Sequence, residues 1–189
     1  MATNQSDLPG KLKESLMADE QILWKGGCEP FPLVTPLNKK SLLVRWVLCA
    51  ALFVILSVAY VLLSLRTAGF SIVVELVLLV IFAYVAGVPL LDHNKLVKKC
   101  GYYVTDKRII SAVGYSEVFP ISRAGLKLRA VPAENGCVHL LFGAATELPE
   151  KKLPLNAIAP IKSEKGEGVV GLVFFNVKDT PALHELLNY

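Results

Sequence analysis

Two long stretches of this chain are almost wholly apolar, and the rest alternates between apolar and polar residues over short distances. The apolar stretches are Trp46–Leu65 and Ser71–Leu91, separated only by Arg66–Phe70. Each holds about 20 residues, and at a rise of about 1.5 Å per residue a helix of that length matches the roughly 30 Å hydrocarbon core of a bilayer. The short connection allows only a tight reversal. The pattern therefore predicts a transmembrane helical hairpin over residues 42–92, preceded by a cytoplasmic segment 1–41 and followed by a soluble domain 93–189.

Beyond the hairpin, Asp92–Lys99 reads as a continuation of the second helix, ended by Cys100-Gly101. Short β-type runs follow, divided by turn residues. They are Tyr102–Thr105, Arg108–Val113, Ser116–Phe119, Gly125–Val131, Cys137–Phe142, Glu150–Leu155 and Gly168–Phe175. In the fourth, Leu126, Leu128 and Ala130 alternate with Lys127 and Arg129, the period of a half-buried strand. Asn135-Gly136 is a tight-turn pair leading into the fifth. Asp179 or Thr180, followed by Pro181, opens a short C-terminal helix with Leu183, Leu186 and Leu187 on one stripe. The fold class expected is an α+β membrane protein: a two-helix transmembrane hairpin, then a partly open antiparallel β-barrel with a C-terminal helix.

Ahead of the hairpin, Lys11–Met17 suggests a short helix and Gln21–Lys25 a short strand ended by Gly26-Gly27. Pro30, Pro32 and Pro36 enforce an extended connector. Leu12, Leu16, Ile22, Leu23 and Trp24 could cover either the membrane surface or the soluble domain, and the sequence leaves both open.

Composition sharpens this outline. Of 189 residues, 53% are hydrophobic, as a hairpin with a modest soluble domain requires, and the net charge is only +4, which argues against a nucleic-acid partner. The N-terminus lacks the basic, apolar and small-residue regions of a signal peptide, so the first apolar run reads as a retained span. Cys28, Cys49, Cys100 and Cys137 form no CxxC pair and read as reduced thiols packed as small hydrophobes. Lys11, Lys13, Lys25, Lys39, Lys40 and Arg45 precede the first span, and Lys95, Lys98, Lys99, Lys107 and Arg108 follow the second. The connecting turn carries only Arg66, so the excess of positive charge places both termini in the cytoplasm. Glu75 is the one acidic residue inside a span. It falls near the outer interface, at the depth of Arg66, and reads as a carboxylate that is hydrated, protonated or paired with Arg66. A proton or ion site is the weaker reading, because the spans offer only Ser57, Ser64 and tyrosines as polar partners.

Two segments carry a resemblance. Tyr102-Tyr103-Val104-Thr105-Asp106-Lys107-Arg108-Ile109-Ile110 resembles the start of the soluble part of bacterial pleckstrin-homology-like domain proteins, in which a two-helix hairpin commonly precedes this motif. Asp19-Glu20-Gln21-Ile22-Leu23-Trp24-Lys25-Gly26 is similar to the segment found before that hairpin, and Phe174-Phe175-Asn176-Val177-Lys178-Asp179 to the strand before the last helix. The resemblance implies a pleckstrin-homology-like domain on the cytoplasmic face of a bacterial inner membrane, and little about activity. Read without it, Thr105–Arg108 is a polar hairpin whose Thr105 and Asp106 bond the turn backbone.

These residues admit three functions. The leading expectation is a non-enzymatic module for protein assembly, through a homo-oligomer or a membrane-protein partner engaging an open sheet edge. The alternative is contact with anionic lipid of the bilayer through Lys95, Lys98 and Lys99, with Lys107 and Arg108 as further basic candidates. An enzyme is disfavoured: His93, His139 and His184 are isolated, and no nucleophile elbow, phosphate loop or dinucleotide fingerprint occurs. No catalytic residue, metal or cofactor is expected.

Overall fold

A computed structural model describes residues 10–17, 19–35, 38–66, 69–114, 116–164, 166 and 168–189. The chain divides into two compact units, Pro32–Leu91 and Met1–Phe31 with Asp92–Tyr189.

The first unit is the hairpin. Helix α2 spans Lys39–Ser64, and α3 spans Ile72–Lys99, its last turns belonging to the other unit. Both are long and apolar enough to cross a membrane. Their large side chains stay uncovered, with Leu62, Ile72 and Val80 about three-fifths exposed or more, a surface that suits lipid far better than water. Pairs of contacts set the antiparallel register. Arg45 Nη2 donates to the Val85 carbonyl at 3.0 Å, and Trp46 Nε1 to that of Ala86 at 3.1 Å. Phe53 meets Phe82 edge-on, and Tyr60 Oη both accepts from the Ser71 N–H and donates to the Ser71 carbonyl. Helix α3 runs on through Pro89. A proline has no N–H to offer the carbonyl four residues back, and that carbonyl belongs to Val85. Arg45 supplies the missing donor.

Among the described residues, the second unit holds eight strands in two antiparallel sheets. The first sheet has the order β1 (Ile22–Gly27), β2 (Cys100–Thr105), β3 (Arg108–Val113) and β4 (Glu117–Ser122). The second is ordered β5 (Leu128–Pro132), β6 (Cys137–Gly143), β8 (Val169–Lys178) and β7 (Ile161–Lys162). Helices α1 (Gly10–Ser15), α4 (Leu153–Ile158) and α5 (Pro181–Leu187) complete it. Most expected strands appear within a few residues of their sequence boundaries. Of the partly open barrel expected, the structure shows two antiparallel sheets and a C-terminal helix: β4 and β5 belong to different sheets, and the barrel is not closed. The strand expected at Glu150–Leu155 is also replaced, by a 3-10 turn at Glu150–Lys152 and by α4. Pro154 explains this, since it denies a ladder its N–H yet fits the first turn of a helix. Leu153 and Ala157, four residues apart, then both become buried.

The N-terminal segment is part of this unit. Strand β1 pairs with β2 from Ile22 opposite Thr105 to Gly27 opposite Gly101. The main core draws on both sheets around Phe174, whose ring stacks on Tyr102 at 4.5 Å and takes the edge of Phe142 at 4.9 Å. Trp24 of β1 lies on the same ring at 6.3 Å. A smaller cluster on the other face of the first sheet joins Tyr103, Ile110 and Ala112 to Leu12 of α1, with Leu16 and Ile22 alongside. The side chains whose destination the sequence left open thus pack on the domain, although Leu23 stays 47% exposed.

Candidate functional site

An open site lies at the start of β2, where α3 ends. Helix and strand meet without a loop residue, Lys99 closing one and Cys100 opening the other. Gly27, Gly101 and Ala112 stand opposite one another across β1, β2 and β3. Three residues this small in one cross-strand row leave a dent in the sheet surface, because paired residues project to the same face. Lys25, Tyr103 and Ile110 form the next row, which sets Lys25 beside Tyr103. Lys98 and Lys99 complete the rim of an open depression of about 290 Å³. Such a volume sits at the lower edge of small-molecule sites, which run from about 300 to 1,000 Å³, and suits a compact anion better than a nucleotide cofactor.

Its polar equipment is one-sided. Three lysines line the depression, and among the described residues no carboxylate does and none of the three lysines is in an ion pair. Tyr103 is only 3% exposed, and its ring folds back over Gly101, so that a Cβ added there would stand 3.0 Å from the phenol oxygen. Among the described residues that hydroxyl has no hydrogen-bond partner. Burial pushes the Tyr103 phenol above its usual pKa, which keeps it a neutral donor.

The basic candidates read from the sequence separate into distinct places. Lys98 and Lys99 line the depression, and Lys95 stands one turn earlier on α3. Lys107 sits in the turn at the far end of β2 and β3. Arg108 is engaged inside the fold: its guanidinium forms an ion pair with Glu20 and also donates to the Ser15 carbonyl at 2.8 Å. Glu20 is buried, and burial alone would raise its carboxyl. Donors from Arg108, Thr105 Oγ1 at 2.7 Å and the Met17 N–H at 3.0 Å, with the charge of Arg108, hold it at about 2 instead. The Thr105 hydroxyl bonds its own turn as well, accepting from the Arg108 N–H at 2.8 Å. Asp106 reaches outside the turn and accepts from the Gln21 N–H at 3.0 Å. Glu75 and Arg66 belong to the hairpin unit. Glu75 Oε2 accepts from Ser57 Oγ at 2.9 Å, and among the described residues it has no ion pair with Arg66.

Sequence reasoning passed over Lys25 and Tyr103 as site residues. The signal was present in the glycines, Gly26-Gly27 and Gly101, which weaken a strand and so mark close approach.

A second polar arrangement fastens the segment before the hairpin to strand β8 within the β-unit. Asn176 adopts φ +50° at a bulge in β8. Its N–H donates to His139 Nδ1 at 2.9 Å, and its side-chain amide to the Glu29 carbonyl, also at 2.9 Å. Glu29 N–H returns a bond to the Asn176 carbonyl at 2.8 Å. Phe31 then packs edge-on against Phe175 and His93. Burial lowers the His139 imidazole to about 4, so its Nδ1 stays available as an acceptor.

Other chemistry is sparse. Among the described residues no three His, Cys, Asp or Glu side chains group as a metal would need. The four cysteines are free, and burial pushes the thiols of Cys28 and Cys100 up to about 12, far from reactive thiolates. The chain matches no protein-family model, no curated protein sequence and no solved structure.

Proposed function

We propose that this chain is a non-enzymatic, membrane-anchored module of pleckstrin-homology-like type, whose domain engages anionic lipid at the cytoplasmic face of the inner membrane. The observation that carries this reading is the continuity of α3 into β2 through Lys95, Lys98 and Lys99. At about 1.5 Å per residue, Lys99 follows Leu91 by about 12 Å of helix, so all three lysines fall within side-chain reach of the headgroups. Each gains about 1 kcal/mol beside an anionic leaflet. The excess of positive charge flanking the hairpin supports the cytoplasmic placement.

A second reading is assembly of the protein with itself or with a membrane partner. Glu75 favours it, because Oε1 is buried and has no hydrogen bond among the described residues. A donor from another helix would satisfy that oxygen.

Native mass spectrometry of the protein, extracted from its own membrane in nanodiscs, separates the two. Reversing Lys95, Lys98 and Lys99 to glutamate strips co-purified anionic lipid under the first reading. Under the second, the complex is a multiple of the chain mass or holds an added protein, and the same reversal leaves it intact.

A further inference from the structure

We infer that the depression between β1, β2 and the end of α3 is a seat for a phosphate group, held by Lys25, Lys98, Lys99 and the Tyr103 hydroxyl. This rests on the membrane-surface reading above but asks more of the site. Diffuse attraction to an anionic leaflet needs only charge. A seat needs convergent donors, a floor low enough to admit the ligand and no competing acceptor. All three are present. The lysines come from two separate parts of the chain, Lys25 from β1 and Lys98 and Lys99 from α3, and line one hollow. The floor is kept low by Gly101 and Ala112, which stand opposite each other across β2 and β3. Tyr103 is only 3% exposed as a residue, yet its hydroxyl, unbonded among the described residues, reaches solvent over Gly101 at that floor.

The Tyr103 hydroxyl reaches solvent at the open floor with no bond inside the protein, so an acceptor from outside can take its hydrogen bond. A phosphate oxygen does so, while three ammonium groups neutralise the charge. The geometry favours a terminal phosphomonoester, which carries up to two negative charges and three free oxygens, over a phosphodiester, which has one charge and two free oxygens. The chemical class is therefore a phosphomonoester or inorganic phosphate. A lipid headgroup and a soluble anion are its two sources.

Lysine acylation footprinting of the full chain in nanodiscs tests the seat. Four preparations are compared: phosphatidylcholine alone, the same with phosphatidic acid, the same with phosphatidylglycerol matched for charge, and phosphatidylcholine with millimolar inorganic phosphate. The expected result is protection of Lys25, Lys98 and Lys99 by phosphatidic acid, clearly stronger than by phosphatidylglycerol. Lys25→Gln should reduce the protection of Lys98 and Lys99 about fivefold, the worth of one lysine at an anionic site. Tyr103→Phe should reduce the preference for the monoester while leaving the fold intact. Lys151→Gln, an equal charge change at an exposed position elsewhere, should change nothing. Protection by inorganic phosphate without lipid supports the same seat with a soluble source. Equal protection by both anionic lipids, unaffected by Lys25→Gln, overturns the seat and keeps the membrane-surface reading. No protection by any anion overturns both.

Discussion

Glu20 and Arg108 stand 88 positions apart in sequence and form an ion pair with the Glu20 side chain fully buried. The contact joins the two segments whose motifs carry the family resemblance. The glutamate before β1 and the arginine after the Thr105 turn are two halves of one structural device, which anchors the N-terminal strand to the sheet. Arg108 is therefore spent within the fold, and the charge that the proposed lipid contact needs rests on Lys95, Lys98 and Lys99.

Breaking that pair should be costly. Arg108→Ala leaves a buried carboxylate unpaired and should lower stability by about 3–5 kcal/mol. Hydrogen exchange should show β1 amides losing protection first. Adding Glu20→Ala should recover part of the loss, because no charge is then stranded. Full additivity of the two single effects would contradict the coupling.

Gly26 is fixed by its neighbour. A Cβ there would lie 2.1 Å from the Trp24 ring, which itself lies on Phe174. Gly26→Ala should displace the indole, cost about 1–3 kcal/mol as overpacking does, and shift Trp24 emission to the red. Unchanged emission would show that the ring does not occupy that position.

Arg45 and Pro89 should be coupled. In the native chain Arg45→Ala removes the donor to the Val85 carbonyl and should cost about 1.5–3 kcal/mol, the value of a charge-assisted bond. Pro89→Ala restores a helical N–H to that carbonyl, so Arg45→Ala should cost little in its background. A double-mutant cycle on thermal unfolding in nanodiscs measures the difference, and equal costs in both backgrounds would exclude the role given to Arg45.

Acid should loosen the connector through His139. Its folded pKa, about 4, lies below its ordinary 6.5, so in that interval the unfolded chain binds a proton that the folded one does not. This contribution is flat above pH 6.5, and stability falls as pH drops from 6.5 through about 4. Glu20 adds a second loss lower down, from its ordinary 4.5 through about 2. Unfolding of His139→Gln followed against pH should lack the upper part of the decline. A profile identical to that of the native chain would remove His139 as its source.

Local pattern carried most of the secondary structure. The two helices were legible because their apolar runs are long, and β2, β3 and β6 because each is a short β-type run bounded by turn residues. What stayed hidden depended on pairing between distant segments. Nothing local in Gln21–Lys25 says that it joins β2, since the Glu20–Arg108 contact exists only after folding. The division into two sheets turned on whether β4 pairs with β5, and residues on either side of Gly125 do not encode that choice. Glu150–Leu155 misled because its apolar positions suit either element, and Pro154 decided for the helix. In the site, Lys98 and Lys99 were visible as charge beside an apolar run. Lys25 and Tyr103 became visible only when the register set them side by side across β1 and β2.

The central claim is that the β-domain works at the cytoplasmic face, on a hairpin whose turn lies on the other side. Single cysteines at Phe70 and Lys151, probed with a membrane-impermeant maleimide on intact cells, test it directly. Labelling at position 70 and none at 151 until the cells are opened is the result this account predicts. Labelling at 151 from outside would contradict it, and with it every role assigned here to the lysines at the inner leaflet.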